Sequence, residues 1–388
     1  MSINYPIYLD NHATTQVDQK VLEVMLPYFT KIYGNASSKN HKFGNDASTA
    51  VEKARSQVAN CLNAKDSEII FTSGATESIN LATKGIAEYF KNKNPHFITV
   101  ATEHKATLDC HEWLENNGYE VTLLGVDSEG FIQLEELKKA IKDNTKLVSI
   151  MTANNEIGTI QPIADIGKIC REANCYFMTD ATQAIGKLKL DVESMNIDLL
   201  AGSGHKIHGP KGIGFLYVRR SNPHVYLKEQ INGGKHERSM RSGTLNVPGI
   251  VGLGQAISQS SKDFLTHNKL ISKMRDHIEN ELLKNIKNSK VNGPKKEHRL
   301  PNNLNIYLPG VEAEALIISL SDKISFSSGS ACTTASIEPS HALKAIGLND
   351  SQIHQSIRIG LSKKTTPDQI HISTELMIQN YKKIKQLS

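Results

Sequence analysis

The sequence lacks long apolar runs and a targeting segment. No uninterrupted apolar stretch in the 388 residues approaches the roughly 18 residues that a membrane-spanning helix needs. The N-terminal residues 1–6 do not show the basic-then-apolar order of a signal peptide. A membrane protein and a secreted protein are both disfavoured, and we expect a cytoplasmic protein that does not bind membranes.

Cysteine is scarce, and positive charge is not concentrated anywhere. The five cysteines are odd in number and show no repeated short spacing, which argues against a disulfide framework and against a zinc site. The net charge is +5, but the basic residues are scattered, and the densest run, 382–385, lies near the C-terminus. This run is typical of a solvated helix end, so no stable nucleic-acid binding is expected.

The chain has enough apolar material to fold into more than one core. Apolar residues make up 39% and charged residues 22% of the 388 residues, a composition typical of globular proteins. A chain of this length usually forms two domains.

Short β-rich runs alternate with helical stretches between residues 66 and 220. The predicted strands are Ile69–Phe71, Phe97–Val100, Glu120–Leu124, Leu147–Met151, Tyr176–Met178, Asp198–Leu200 and Ile213–Val218. Predicted helices are 77–90, 106–116, 133–142 and 162–172. This order predicts a mainly parallel sheet covered by helices on both faces.

The pattern changes near residue 255. A long, charged, helix-like stretch at 256–288 is followed by a strand at Leu304–Leu308 and a helix at 312–321. A Gly/Ser-rich loop at 325–336 and a last helix from about residue 367 complete the chain. We place the domain boundary within 255–265.

The turn between the first predicted strand and its helix is a candidate phosphate site. Thr72-Ser73-Gly74-Ala75-Thr76-Glu77 places backbone N–H groups and the Thr76 hydroxyl at a helix N-terminus, where anions bind. By itself this signal is weak, and the same sequence is more typical of an ordinary helix cap.

Asp180 follows a predicted strand and should lie at its carboxyl end, where open α/β sheets bind ligands. A carboxylate there can keep a pyridinium nitrogen protonated, and Gln183 could reach the hydroxyl of the same ring. Alternatively, Asp180 caps the next helix.

Ser203-Gly204-His205-Lys206 follows the strand at Asp198–Leu200. A lysine at that edge could form a Schiff base with an aldehyde cofactor, and Ser203 and His205 could bind its phosphate. A lone lysine is more often a surface cation. The order of a phosphate turn, Asp-x-x-Gln and Ser-x-His-Lys, each after a strand, favours the cofactor site.

Eight segments together resemble one family, the cysteine desulfurases among the fold-type I pyridoxal-phosphate enzymes. They are Leu9–Thr15, Phe71–Ser78, Thr102–Ala106, Asn154–Gly158, Asp180–Gln183, Ser203–Lys206, Arg241–Thr244 and Ser327–Cys332. They extend over almost the whole chain, and the long Ser/Gly loop before Cys332 resembles the housekeeping branch, which feeds iron–sulfur assembly and tRNA thiolation.

The resemblance implies a fold-type I transferase fold with a mostly parallel seven-stranded sheet. Residues 16–260 would form the large α/β domain that binds the cofactor. Residues 1–15 and 261–388 would form a smaller α+β domain that carries the loop of the catalytic cysteine, at about 325–336.

The resemblance also implies roles for individual residues around pyridoxal 5′-phosphate. Lys206 matches the Schiff-base lysine, and His104 matches the catalytic imidazole stacked on the ring. Cofactor ligands are implied at Ala75, Thr76, Asn155, Asp180, Gln183, Ser203 and His205, with Thr244 donated by the other subunit of a homodimer. Asn155 and Arg358 match the groups that hold the substrate, with Arg358 on its carboxylate.

Cys332 is interpreted as the sulfur carrier. Its neighbours are Ser, Gly and Ala, which give a loop freedom to move and nothing to anchor in a core. The other four cysteines are interpreted as buried and inert. The resemblance implies no resident metal, although Cys332 could transiently ligate an iron–sulfur cluster.

The implied reaction converts L-cysteine to L-alanine. Lys206 would take the Cα proton, and the Cys332 thiolate would attack the substrate sulfur to form a persulfide. The persulfide would then pass to acceptor proteins, either an iron–sulfur scaffold or a carrier for tRNA thiolation.

Three alternatives remain open. A desulfurase dedicated to one pathway, such as DNA phosphorothioation, would carry the same residues. An aminotransferase or β-lyase would not need Cys332. A non-catalytic adaptor would be expected to lose Lys206 or Asp180, and both are present.

The sequence departs from the housekeeping pattern at two places. Asn11-His12 stands where these enzymes more often have Tyr-Ser, and His12 is interpreted as structural. The sequence ends at Ser388, where many relatives continue into a tail that grips the iron–sulfur scaffold. Docking to a scaffold by the usual route is therefore not expected.

Overall fold

The structure, a computed structural model, describes residues 5–262, 264–328 and 339–387. A seven-stranded sheet organises the larger part of it. Its strands in chain order are β2 (Ile69–Thr72), β3 (His96–Val100), β4 (Glu120–Leu124), β5 (Thr145–Ser149), β6 (Tyr176–Asp180), β7 (Leu199–Ser203) and β8 (Gly214–Val218).

The strand order across this sheet is β2-β8-β7-β6-β5-β3-β4. The pairs from β7 to β4 are all parallel, whereas β8 pairs antiparallel with both of its neighbours. The predicted, mainly parallel sheet is confirmed. Since β2 runs in the same direction as β7, six carboxyl ends meet at one edge.

Helices cover both faces of the sheet. In the first part of the chain they are α1 (Gln19–Met25), α2 (Pro27–Thr30), α3 (Lys42–Leu62), α4 (Ala75–Tyr89), α5 (Lys105–Asn116), α6 (Leu134–Ala140), α7 (Ile163–Glu172), α8 (His236–Ser239) and α9 (Val247–Lys262). One face packs against α3, α7 and α9 through residues such as Val58, Ile166 and Phe215. The other packs against α4 and α5 through residues such as Ile79 and Leu216. Burial on both faces explains why a strand such as β8 is apolar throughout rather than alternating.

A separate core surrounds the smaller sheets. The remaining elements are β1 (Ile7–Tyr8), α10 (Phe264–Asn285), β9 (Lys290–Val291), β10 (Asn303–Tyr307), α11 (Ala313–Leu320), β11 (Ile324–Ser325), β12 (Ser327–Ser328), α12 (His341–Ala345), α13 (Asp350–His354), β13 (Ser356–Gly360) and α14 (Pro367–Leu387). One sheet has the order β12-β13-β10-β9, and β1 pairs with β11. Ile7 and Leu9 belong to the same apolar cluster as residues of α10, α11 and α14. This grouping supports our proposal that 1–15 and 261–388 form one domain and 16–260 the other.

Several helices and strands were not predicted as they occur. Helix α9 begins at Val247, before the expected 256, although Pro248 and three glycines follow. Proline is tolerated in the first turn of a helix, and the Asn246 side chain accepts a hydrogen bond from the Gly249 N–H. The glycines permit close packing, because a Cβ at Gly254 would lie 2.8 Å from the Ala54 Cα atom in α3.

Helix α3 and strand β13 had no counterpart among the predicted elements, and β5 begins and ends two residues before its predicted position. Among the helices of the described ranges, none is long and apolar enough to cross a membrane.

Candidate active site

A cavity of about 800 Å³ lies at the edge of the large sheet where the carboxyl ends of its strands meet. It also contacts the N-terminal segment and the smaller sheet, through residues such as Asp10 and Arg358. Ten of the predicted site residues line this one cavity: Ala75, Thr76, His104, Asn155, Asp180, Gln183, Ser203, His205, Lys206 and Arg358. The sheet therefore brings together residues that are spread over most of the sequence.

One end of the cavity is the N-terminus of α4. Its N-cap is Gly74, which has no side chain to accept hydrogen bonds from the first N–H groups of the helix. The turn can sit here because Gly214 in β8 lies against it: a Cβ on Gly214 would lie 2.6 Å from the Gly74 Cα atom. The free N–H groups of Ala75 and Thr76 and the positive end of the helix dipole suit an anion.

Polar side chains from the next strand border the same end. Ser203 is the last residue of β7, and His205 follows it in a tight turn. The His205 Nδ1 atom lies 3.1 Å from the Thr14 hydroxyl oxygen. Burial, and then the charges of Lys206 and Lys211, lower the pKa of His205 to about 4. His205 is therefore neutral at pH 7 and can serve as a hydrogen-bond donor rather than as a cation.

The centre of the cavity contains Asp180 at the end of β6. Asp180 is 8% exposed, and its carboxylate accepts a hydrogen bond of 2.9 Å from the Thr182 N–H. Thr182 also lines the cavity, and its buried hydroxyl has no hydrogen-bond partner among the described residues. A buried hydroxyl without a partner is costly, so a polar ligand is expected beside it.

Lys206 projects into the cavity just beyond the end of β7. Its Nζ atom donates to two main-chain oxygens of the N-terminal segment, those of His12 at 2.5 Å and Ala13 at 2.7 Å. Burial, followed by the charge of Arg358, lowers the pKa of Lys206 to about 8. A substantial fraction of this amine is neutral near pH 7 to 8, which a nucleophilic lysine requires.

His104 caps the N-terminus of α5. Its Nδ1 atom accepts a hydrogen bond of 3.1 Å from the Ala106 N–H, so in the neutral ring the proton lies on Nε2. Burial lowers the pKa of His104, and the carboxylate of Asp180 partly opposes that effect. The side chain thus offers the cavity a neutral imidazole.

Arg358 in β13 forms the opposite end of the cavity. Its Nη2 atom donates to Asp10 at 3.0 Å and to the Ser327 hydroxyl at 3.2 Å, and its Nη1 atom donates to the main-chain oxygen of Asn155 at 3.3 Å. The Nε atom is buried and has no hydrogen-bond partner in the part of the chain that the structure describes. The guanidinium is positioned by these bonds and retains one donor for a ligand.

Two predicted site residues are not placed in this cavity. Thr244 is exposed and does not line it. Cys332 and the loop at 329–338 lie outside the described residues, so the interpretation of Cys332 stays a prediction.

Among the further cavity residues to which the sequence patterns assigned no function are Asp10, His12 and Thr14. All three lie in the N-terminal segment between β1 and α1. They lie in Leu9–Thr15, one of the segments that resemble the family. That resemblance was the signal in the sequence that could have marked them as site residues.

The residues of this cavity fit pyridoxal 5′-phosphate. An uncapped helix N-terminus with Ser, Thr and His beside it suits a phosphate, and a lysine of lowered pKa suits an aldehyde. A carboxylate between them suits a pyridinium nitrogen, and the Thr182 hydroxyl, which has no partner among the described residues, suits a polar ligand beside it.

Comparison with known proteins agrees with this geometry. The family described as aminotransferase class-V matches residues 7–372. A cysteine desulfurase, IscS, of Neisseria meningitidis serogroup A is 50% identical over 388 residues, which are 100% of this chain and 95% of that protein.

Two solved structures are also similar. A NifS-like protein superposes with a TM-score of 0.90 at 37% identity, covering 99% of this chain and 100% of its own. A structure titled SspA in complex with cysteine gives a TM-score of 0.81 at 37% identity, with 93% and 100% covered. The chain belongs to the class-V aminotransferase family and, within it, to the IscS-like cysteine desulfurases.

Proposed function

We propose that this protein is a pyridoxal-phosphate-dependent cysteine desulfurase that converts L-cysteine to L-alanine and carries the sulfur as a persulfide on Cys332. The observation that carries the proposal is the content of one cavity: an uncapped helix N-terminus at one end, a lysine with a pKa of about 8 at the centre and a guanidinium at the other end. A phosphorylated aldehyde and an amino acid would occupy these positions together.

The bound cofactor would supply an electron sink for the charge left when the substrate loses its Cα proton. Lys206 would attach the cofactor and, once released from it, accept that proton. Asp180 would hold a proton on the ring nitrogen, and Gln183 would donate to the ring hydroxyl. His104, with its proton on Nε2, is suited to pack against the ring and donate a proton.

Arg358 and Asn155 would bind the substrate. A guanidinium matches a carboxylate in geometry and charge, and the Nε atom of Arg358 has no partner among residues 5–262, 264–328 and 339–387. The Nη2 atom of the same guanidinium donates to the Asp10 carboxylate. The substrate carboxylate would therefore compete with Asp10 for the Nη2 donor.

Cys332 would attack the sulfur of the bound substrate as a thiolate, forming an S–S bond while the Cβ–S bond breaks. The other cysteines are poor candidates, since Cys110, Cys170 and Cys175 are buried and Cys61 is partly buried. Burial raises the pKa of Cys110 to about 11 and also raises that of Cys61, which leaves little thiolate at neutral pH.

The test is to supply cofactor and L-cysteine and to measure the products. We expect alanine and, with a thiol reductant, sulfide in equal amounts, and mass spectrometry should find one added sulfur on the Cys332 peptide. Pyruvate and ammonia in place of alanine would indicate a β-lyase. With Cys332→Ser, cysteine should still change the visible absorption of the cofactor, but sulfide release should stop. Added sulfur on a different cysteine would contradict the proposal.

The proposed assembly is a homodimer in which Thr244 binds the phosphate of the other subunit. Thr244 is exposed in the single chain. Three residues before it, Arg241 donates a hydrogen bond of 2.8 Å to Glu77, which ends the phosphate turn of the same chain. An apolar surface on and around α2 supports pairing: Leu26 is 53% exposed, Phe29 58% and Tyr33 65%.

A mixed dimer tests this arrangement. With Lys206→Ala in one subunit and Thr244→Ala in the other, the surviving Lys206 would receive an intact Thr244 from its partner. That site should bind the cofactor as tightly as the wild type does. If it binds as weakly as the Thr244→Ala homodimer, Thr244 acts within its own subunit.

The proposed acceptors of the sulfur are proteins, either an iron–sulfur scaffold or a carrier for tRNA thiolation. Incubating the sulfur-loaded protein with each purified acceptor and locating the transferred sulfur by mass spectrometry would decide between them.

A further inference from the structure

His12 lies in the wall of the cavity, where both of its ring nitrogens are engaged. The side chain is 1% exposed. The Nδ1 atom lies 3.1 Å from Gln183 Oε1, and the Nε2 atom lies 3.2 Å from Asn303 Nδ2. His12 thus joins the end of the large sheet to β10 of the smaller sheet.

The hydrogen bonds determine which nitrogen of His12 carries the proton. Asn303 Nδ2 also donates to the main-chain oxygen of Glu156 at 3.0 Å, which identifies it as the amide nitrogen. The His12 Nε2 atom must therefore accept, and the proton lies on Nδ1, where it is donated to Gln183 Oε1.

The same residue also binds the other end of the Gln183 amide. Gln183 Nε2 donates to the main-chain oxygen of His12 at 3.0 Å, the oxygen that Lys206 Nζ also contacts. His12 therefore holds both the oxygen and the nitrogen of this amide and prevents it from flipping. Because an amide nitrogen has two hydrogens, one remains for a ligand in the cavity that Gln183 lines.

Electrostatics favour the same state. Burial, and then the charges of Arg358, Lys187 and Lys206, lower the pKa of His12 well below its usual range. A second ring proton would also face the Asn303 donor, so His12 stays neutral with its proton on Nδ1.

We propose that His12 is a positioning residue that fixes the Gln183 amide so that its free N–H faces the ring oxygen of the cofactor. The proposal rests on the proposed function. A donor beside that oxygen stabilises its negative charge, so the proton shared between the oxygen and the attached Lys206 nitrogen is lost more readily. Removing the donor should raise the pH midpoint of the visible absorption of the bound cofactor.

The first test is a double-mutant cycle on that midpoint. We expect His12→Leu to raise it by about one pH unit, a tenfold change in proton affinity. Gln183→Leu should raise it at least as much, and the double variant no further, because both changes remove the same oriented donor. His12→Asn keeps an N–H near the Nδ1 position and should restore most of the wild-type midpoint.

His111 provides the matched control. It is 2% exposed, and its Nδ1 atom bonds to the main-chain oxygen of Thr107 in its own helix at 2.8 Å. His111→Leu should lower the melting temperature about as much as His12→Leu but leave the midpoint unchanged. The inference is overturned if His12→Leu and His111→Leu have the same pH midpoint. It is also overturned if the midpoint shift of the double variant equals the sum of the His12→Leu and Gln183→Leu shifts.

A second measurement does not depend on the cofactor. In the protein without cofactor, nitrogen NMR of labelled histidine should show His12 with its proton on Nδ1 from pH 6 to 9, and Gln183→Leu should shift that signal. A proton on Nε2 would overturn the inference. If the wild type instead fails to develop a visible band with pyridoxal phosphate, the proposed function fails, while the NMR result still decides the role of His12.

Discussion

The two ends of the cavity are prepared for their ligands in different ways. At the phosphate end, α4 begins without a side-chain cap, so its first N–H groups have no competing acceptor there. At the carboxylate end, Arg358 already binds Asp10 and Ser327. The first end is open to a resident group, whereas the second must exchange an internal partner for each substrate molecule.

This difference suits the two ligands. A cofactor that remains bound gains from donors that need no rearrangement. A substrate that enters and leaves in every cycle is better served by a guanidinium that keeps its orientation and charge balance when the site is empty. We therefore expect substitutions at the phosphate end to affect cofactor binding and substitutions at the carboxylate end to affect substrate binding.

The largest effect is expected at Arg358. Arg358→Gln removes a charged, oriented donor from the substrate carboxylate, and we expect the KM for L-cysteine to rise about 100-fold, in line with the 1.5–3 kcal/mol typical of charged hydrogen bonds. Cofactor affinity should change by less than about threefold.

Thr76→Val is the control from the other end. It removes a hydroxyl beside the helix N-terminus and should weaken cofactor binding about tenfold while leaving the KM for L-cysteine nearly unchanged. If Arg358→Gln and Thr76→Val each change cofactor affinity and the KM for L-cysteine to the same extent, the two ends do not act separately and the comparison is wrong.

A pH dependence is expected to follow from the lowered pKa of Lys206. The neutral amine is the reactive form, so attachment of pyridoxal phosphate to the cofactor-free protein should become faster as pH rises and should level off above about 8. An ordinary lysine would still be gaining reactivity at pH 10. Arg358→Gln removes one of the charges that lower this pKa, so the midpoint should move upward. If the midpoint does not move in Arg358→Gln, the charge of Arg358 does not lower the pKa of Lys206.

The smallest effect is expected at Asp10. Asp10→Asn removes the internal competitor for Arg358, so the KM for L-cysteine should fall about threefold, within the range of exposed ion pairs. Because the carboxylate of Asp10 raises the pKa of Lys206, the midpoint for cofactor attachment should also move slightly downward. A raised KM would show that Asp10 orients Arg358 rather than competing for it.

Much of the site was predictable because its residues follow strands. Asp180 is the last residue of β6 and Lys206 lies three residues after the end of β7, and the carboxyl ends of these strands meet at one edge. Local patterns thus predicted the centre of the cavity and its phosphate end.

Contacts between distant parts of the chain were not predictable in this way. His12 meets Gln183 across 171 positions and Asn303 across 291, and Asp10 meets Arg358 across 348. No periodicity connects such residues, because the contacts arise only when the N-terminal segment lies between the two sheets. The early start of α9 was missed for a related reason, since its glycines are explained by packing against α3.

Lys187 provides the strictest test of the central claim. Burial lowers its pKa to about 7, below that of Lys206, so basicity alone would favour Lys187 as the reactive amine. Position favours Lys206: it lines the cavity, whereas Lys187 does not and donates to the main-chain oxygen of Gln183 at 2.9 Å.

The decisive measurement is borohydride reduction of the protein loaded with pyridoxal phosphate, followed by peptide mapping. We predict that the reduced cofactor is found on the peptide containing Lys206, that Lys206→Ala abolishes it, and that Lys187→Met does not. A label on Lys187 or Lys211 in the wild type would contradict the assignment of the site.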